Sequence, residues 1–466
     1  METFEQRCAH LDDLLGFNRC FDMIGRYLVI GGRRARLWVV NGYAENELLE
    51  RLIGGWLSIT QPQMPTEANV FLWRYLSAAD AEAEPEEQKA VIATFAGKTL
   101  LYIDGYRELL LIDAKSYPTR SIEEPDTSRV LRGSHDGFLE NLMENAALLR
   151  RRIRTPGLTM EKHRIGGKSG CDVVLAFLEG KAKTEDLEKL RQKLGNIRVG
   201  SIAMAQESVA ECITPRQWWN PFPKIRYTER PDVATASLME GNILLMVDNT
   251  PCVMIFPTTL LSFAEEINDY YFPPLIGTYL QTVRLVVLLL TVFITPLWYV
   301  LVKSPESLHP NLHFLLVQEE SYVPLIGQLL LVEFIIDILK LASLNTPNVL
   351  SNSFSVLGAL ILGDFAVQSR WLVPEVLVYM AFVAVADYAQ HSYEMGYACK
   401  MLRMTLLLLV WLWDWWGFAI GVVGAFILVL TTKPVVGRGY LYPLIPFDGK
   451  VLRRILRRQH ISPDNT

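Results

Sequence analysis

Glu333, Asp337 and Lys340 lie four and then three positions apart inside the otherwise apolar stretch Tyr322 to Leu344. That spacing sets all three on one face of a helix. Charged groups at membrane depth are costly and face protein or water. The stripe therefore has two readings. It lines an ion path or a subunit interface, or it is a self-neutralising salt bridge on a helix lying at the interface. Asp364, Asp387 and Asp414 add acids in neighbouring apolar stretches, Asp414 among Trp411, Trp413, Trp415 and Trp416. So many acids favour a polar interior over a plain anchor. Four or five short helices can hardly enclose a pore within one chain, so a conduit here calls for a symmetric ring of subunits, a homo-oligomer in membrane lipid.

Other chemistry is sparse. Gly166-Gly-Lys-Ser169 suggests a phosphate loop, but the first glycine of that motif would fall at Lys162, and the segment precedes a strand instead of following one. His10, His135 and His163 lack ligand spacing, and the six cysteines contain no C-x-x-C pair. With no nucleophile–base pair and no metal cluster, the sequence predicts no catalytic, cofactor-binding or metal site, and no enzyme. A formal net charge of −5 argues against nucleic acid as a partner. Arg150, Arg151, Arg152 and Arg154 form a basic run that reads as a solvated helix end. Its functional reading is a contact with anionic lipid or with an acidic neighbouring subunit.

The elements that must position these groups fall into two halves. Residues 1–270 alternate charged and apolar segments, and Arg36–Gly42 is a short buried strand followed by helical spacing from Glu45 to Ile53. The same order recurs. Asp172–Gly180 is a strand, and Thr184–Leu194 is a charged amphipathic helix with Thr184 as N-cap. Gly97–Asp104 with Glu108–Asp113, and Gly241–Asp248 with Cys252–Phe256, are two matching hairpins. The fold class is an α/β soluble N-terminal region of two related subdomains, followed by an all-α multi-pass membrane domain. The expected divisions are 1–118, a linker and helix over 119–159 (polar Pro118–Pro125, then a helix Phe138–Ile153), 160–270, membrane helices over 271–448 and a basic tail over 449–466. Ala81–Glu87 reads as an acidic loop insertion.

The membrane half holds five apolar stretches: Leu285–Val302, Tyr322–Leu344, Phe354–Ser369, Val376–Ala386 and Met404–Thr432. The last would run about 43 Å as one helix, against a hydrocarbon core of about 30 Å. The tail Lys450–Arg458 is strongly basic and is expected on the cytoplasmic side. Met1–Arg7 shows no secretory pattern, so the N-terminal half is expected there too. Both ends on one side require an even number of crossings. Four full crossings plus broken or re-entrant elements satisfy this.

Specific strings carry a resemblance. Val130-Leu-Arg-Gly-Ser-His-Asp-Gly-Phe-Leu-Glu-Asn-Leu142 with Asn145-Ala-Ala-Leu-Leu-Arg-Arg-Arg152, Asn220–Asp232, Glu240–Pro251, Asp269-Tyr-Tyr271 and Gly277-Thr-Tyr-Leu280 resemble signatures of the GerA family of spore germination proteins. Glu333–Asp337, Gly358–Gly363 and Ser392-Tyr-Glu394 fall in the same register. Phe21–Gly32 with Asn41-Gly42, and Ser343–Pro347, look closest to the SpoVAF branch. Gln390-His391 stands where the family commonly has a proline before Ser-Tyr-Glu, a departure that bears on a kink there. The resemblance implies a multi-pass protein of the spore inner membrane, both ends on the core side, working with other spore germination membrane proteins. It also implies an oligomeric channel that releases ions when dormancy ends. A nutrient-receptor A-subunit acting with a permease-like partner, or a non-conducting scaffold, are the alternatives.

Overall fold

A computed structural model of the chain describes residues 3–76, 80–115, 133–167, 170–200, 204–266, 268–307, 309–345, 366–390 and 392–456. The Pro118–Pro125 linker, Lys168-Ser169, Phe354–Phe365 with Asp364, His391, and Arg457-Arg458 lie outside these residues. The chain forms two compact units.

The first comprises Met1–Pro215, Ile225–Thr258 and Pro434–Gly437. It opens with α1 (Phe4–Leu14), whose start is closed by a capping box between Thr3 and Gln6. Then come β1 (Met23–Ile30), β2 (Arg33–Val40), α2 (Asn46–Leu57), α3 (Ala68–Tyr75), β3 (Ala81–Glu84), α4 (Glu87–Phe95), β4 (Thr99–Ile103) and β5 (Leu109–Ile112). The succession then repeats as α5 (Leu142–Arg152), β6 (Leu158–Ile165), β7 (Cys171–Leu178), α6 (Thr184–Gly195), α7 (Ala205–Ile213), β8 (Arg226–Thr228), α8 (Pro231–Met239), β9 (Ile243–Val247) and β10 (Val253–Phe256).

The strand orders are β1-β2-β4-β5-β3 and β6-β7-β9-β10-β8. Every described pairing is antiparallel. Element order and strand order thus both repeat, which makes the two sheets versions of one plan. Each central strand is buried on both faces, so its alternate residues enter different cores. In β4, Leu101 and Ile103 pack with α2 and α3, whereas Leu100 and Tyr102 pack with α1 and α4. In β9, Ile243, Leu245 and Val247 face α6 and α7, whereas Leu244 and Met246 face α5 and α8. A strand buried on both sides reads as a continuous apolar run, which is why β4, β5, β9 and β10 were visible without alternation.

Three local expectations change. Ala81–Glu84, expected as an acidic loop insertion, is an edge strand paired to β5. Acidic side chains suit an edge, where they discourage further pairing. The helix expected from Phe138 begins at Leu142, where the Asn141 side chain accepts from the Met143 N–H. Thr184 is the first residue of α6, and the cap position is Lys183.

The second unit comprises Arg216–Lys224, Thr259–Lys433 and Arg438–Thr466. Its helices are α9 (Asn268–Tyr271), α10 (Pro274–Lys303), α11 (Leu325–Asn345), α12 (Pro374–Tyr388), α13 (Tyr393–Thr431) and α14 (Gly449–Leu456). Among the described residues, α10 and α13 are long and apolar enough to cross a bilayer.

Although it runs for 39 residues, α13 is not one rod. Trp413 and Asp414 leave helical geometry, Asp414 at φ 48°. The chain doubles back there. A Cβ on Gly417 would stand 1.9 Å from the Leu409 carbonyl oxygen, and one on Gly421 would stand 2.3 Å from the Leu406 side chain. Residues that far apart along a straight helix cannot touch, since eight positions already separate them by about 12 Å. The excess length of Met404–Thr432 is therefore taken up by a hairpin.

Candidate functional site

Glu333, about two turns into α11, is buried at 1 % exposure. Its two oxygens accept from Arg403 of α13, Oε1 from Nε at 2.5 Å and Oε2 from Nη2 at 3.1 Å. The remaining arm of Arg403, Nη1, donates to the Thr291 carbonyl of α10 at 2.8 Å. Lys400, one turn earlier in α13, lies 3.4 Å from Glu333 Oε2 and pairs with Asp337. Its ammonium also donates to the Glu333 carbonyl at 3.1 Å. Lys340 donates to Asp387 of α12 at 3.1 Å.

The arrangement brings three carboxylates (Glu333, Asp337, Asp387) against three cations (Lys340, Lys400, Arg403). It is formally neutral and ties α11 to α12 and α13, with α10 engaged through Thr291. Glu333, Asp337 and Lys340 thus turn to partners on neighbouring helices. The counter-charges, however, come from α12 and α13 and are not self-contained on α11. Lys400 and Arg403 were missed because the apolar window was opened at Met404, one residue beyond Arg403. The signal was physical: acids at membrane depth demand cations nearby.

Compensation is incomplete at two atoms. Asp337 Oδ1 and Asp387 Oδ1 are buried and meet no hydrogen-bond donor among the described residues. Buried polar atoms are ordinarily satisfied, so both keep unspent acceptor capacity. Asp414 stands apart from this cluster. It pairs with Lys303 at the end of α10, and Lys303 also donates to the Trp411 carbonyl at 3.1 Å.

In α5 the basic run separates into different roles. Arg150, expected at a solvated helix end, is fully buried. Nε and Nη2 donate to the two oxygens of Asp22 at 2.9 and 3.0 Å, and Nη1 donates to the Leu158 carbonyl at 2.8 Å. Burial pulls its guanidinium down, but the Asp22 carboxylate outweighs this and holds it above the ordinary arginine value. Fully buried against Asp22, Arg150 fastens the core instead of ending the helix in solvent. Arg152 pairs with Asp136 at 2.6 Å. Burial raises the Asp136 carboxyl, but hydrogen bonds from Ser134 and Arg152 overcome that and hold it below its usual range. Arg154 is exposed and donates to the Arg151 carbonyl at 3.2 Å.

The same segment explains other motif residues. The Asn145 side chain brackets the Leu139 backbone, accepting from its N–H at 2.7 Å and donating to its carbonyl at 2.6 Å. Arg230, 1 % exposed, pairs with Asp232 and donates to the Ser134 carbonyl at 2.8 Å. Among the described residues no group of His, Cys, Asp and Glu could hold a metal ion.

The family model for the Bacillus/Clostridium GerA spore germination protein matches residues 11–466. This chain belongs to the GerA family. It is 33 % identical over 445 residues to stage V sporulation protein AF of Bacillus subtilis (strain 168), covering 95 % of this chain and 90 % of that relative. It is 27 % identical over 424 residues to spore germination protein KA of the same strain, covering 90 % and 77 %. A solved structure, the N-terminal domain of the A subunit of the Bacillus megaterium spore germinant receptor GerK3, matches 54 % of this chain and 93 % of its own, at 23 % identity and a TM-score of 0.42. Asn145, Arg150, Arg152, Arg230 and Asp232, all within GerA-like strings, sit where the soluble unit is stitched together.

Proposed function

We propose that this GerA-family chain is a multi-pass subunit of an oligomeric ion-conducting assembly in the spore inner membrane, contributing to ion release when dormancy ends. The N-terminal half and the tail are placed on the core side. The observation that carries the reading is the pair of unsatisfied oxygens, Asp337 Oδ1 and Asp387 Oδ1, within an otherwise compensated charge cluster. A purely structural cluster gains from spending every lone pair, because an unpaired buried acceptor costs about 1–3 kcal/mol. Oxygens kept free in an apolar helical unit can pass a cation or a proton along. Asp364 belongs to the same proposal through its sequence position, and its role rests on that alone. Membrane lipid and further germination membrane proteins are the expected partners.

A second reading has its own observation. Each acid of the cluster has a cation beside it, as a non-conducting scaffold would also need. A receptor A-subunit working with a permease-like partner is compatible with the same cluster. The deciding experiment is cation efflux from K+-loaded liposomes carrying the purified protein. An Asp337→Asn/Asp387→Asn variant is expected to lower efflux at least tenfold while keeping the oligomeric state. Unchanged efflux removes these carboxylates from conduction, and a wild type that stays monomeric and passes no ions favours the scaffold.

A further inference from the structure

The reversal inside α13 has a consequence for how this unit meets lipid. The first arm, from Tyr393 to the break at Trp413, and the second, from the break to Thr431, lie antiparallel. Gly417, Gly421 and Ala425 are buried on the second arm. Four-residue spacing of small side chains lets helix backbones approach closely in lipid, and the contacts with Leu409 and Leu406 are such an approach. Each arm is about 27–30 Å long, which matches a hydrocarbon core of about 30 Å.

The tip has the composition of a bilayer boundary. Trp411, Trp413, Trp415 and Trp416 crowd around the break and are exposed, Trp416 at 78 %. Indole rings favour the headgroup level, with an apolar body and one donor. Beside them sits the Asp414–Lys303 pair, and the Lys303 ammonium covers the Trp411 carbonyl that the ending helix leaves free. The opposite end is polar as well. There Thr432 accepts from Asn220 at 2.7 Å and the Thr431 carbonyl accepts from Gln217 at 3.2 Å.

We infer that α13 crosses the bilayer twice as a tight hairpin, with Trp411, Trp413, Trp415 and Trp416 seated in the lipid headgroup boundary on the face opposite its two ends. Arg403 lies ten residues from the break, about 15 Å, so the Glu333–Arg403 contact falls near mid-bilayer. The inference rests on membrane residence and not on conduction, so it stands or falls separately from the ion path.

Added cysteines test it one at a time in inverted and right-side-out vesicles, using full-length protein with Cys171, Cys212 and Cys252, the cysteines that are not buried, replaced by serine. Tyr393→Cys and Lys433→Cys mark the two ends, and Trp416→Cys marks the tip, with Trp415→Cys as a second tip probe. A membrane-impermeant maleimide is expected to label both ends from one face and either tip probe from the other, with at least a fivefold preference. If the two ends label from opposite faces, α13 is one crossing helix and the inference fails. If ends and tip label from the same face, the hairpin lies on the surface and the inference also fails.

Discussion

Arg150 in the soluble unit and Arg403 in the apolar unit are wired alike. Each turns Nε and Nη2 on one carboxylate and Nη1 on backbone carbonyl oxygen, that of Leu158 and, at 3.5 Å, of Thr155 for Arg150, and that of Thr291 for Arg403. The difference is what lies beyond the fork. Asp22 is spent on Arg150 within a packed α/β core, where Phe95 lies under the guanidinium at 4.9 Å. Glu333 shares its charge with Lys400, which leads on to Asp337, while Lys340 and Asp387 continue the cluster. One fork closes on itself; the other opens onto Lys400 and Asp337, and one oxygen each of Asp337 and Asp387 is left unsatisfied among the described residues. Similar local chemistry thus fastens the fold of one unit and joins a wider charge cluster in the other.

The largest expected effect tests the open fork. Arg403→Ala leaves Glu333 buried and underpaired in an apolar unit, and breaking such a pair costs about 3–5 kcal/mol in a protein interior. Lipid offers less relief than water, so the variant is expected to lose most of its folded yield in detergent, by size-exclusion profile. Glu333→Gln with Arg403→Gln removes both charges and is expected to recover folded yield but not ion flux. Recovery of both would make the fork a fastener like that of Arg150.

Asp22→Ala tests the closed fork. It strands the Arg150 guanidinium and is expected to cost about 3 kcal/mol, read as a lowered Tm of the soluble unit in the full-length protein. Asp22→Leu with Arg150→Met is expected to restore much of that stability with ion flux unchanged. A change in flux would mean that the soluble pair takes part in function.

What the sequence made legible divides along the same line. The hairpins β4–β5 and β9–β10 were visible because two-sided burial writes uninterrupted apolar runs. The edge strands β1, β3, β6 and β8 were not, because half-exposed or acidic residues such as Glu82 and Glu84 write no apolar run, and β3 and β8 pair with strands further along the chain. The shared face of Glu333, Asp337 and Lys340 followed from helical period alone. Its cations did not, since Lys400 and Arg403 reach α11 only through tertiary packing. The turn at Asp414 was hidden because neither glycine nor proline marks it, and the small residues 417, 421 and 425 were its one local sign.

Glycine packing tests the reversal of α13 by shape instead of charge. Gly417→Ala would press a methyl onto the Leu409 backbone, which cannot swing aside. The expected cost is about 1–3 kcal/mol, seen as a lower Tm in detergent. Gly424, with nothing within 4 Å of a Cβ, is the control: Gly424→Ala is expected to be neutral. Equal effects at both positions would argue against the close antiparallel packing of α13.

The smallest effect comes from a third, partly exposed fork, whose Nη1 turns to a second carboxylate, Glu188, instead of a backbone carbonyl. Arg191 turns Nε and Nη2 on Glu161 at 3.0 and 2.5 Å, with both side chains partly exposed. Burial raises the Glu161 carboxyl, but hydrogen bonds from His163 and Arg191 outweigh it and lower its pKa from 4.5 to about 2. A depressed carboxylate pKa contributes stability above the unfolded value, and that contribution is lost as pH falls through the folded one. Solvent screening limits the pair to about 1 kcal/mol. The Tm gap between wild type and Arg191→Ala should therefore be small at pH 7 and should close as pH falls from 4.5 towards 2. A gap that keeps its size would assign the role of Arg191 to its stacking on Phe177, 5.7 Å away, because packing on an aromatic ring does not titrate with the carboxylate.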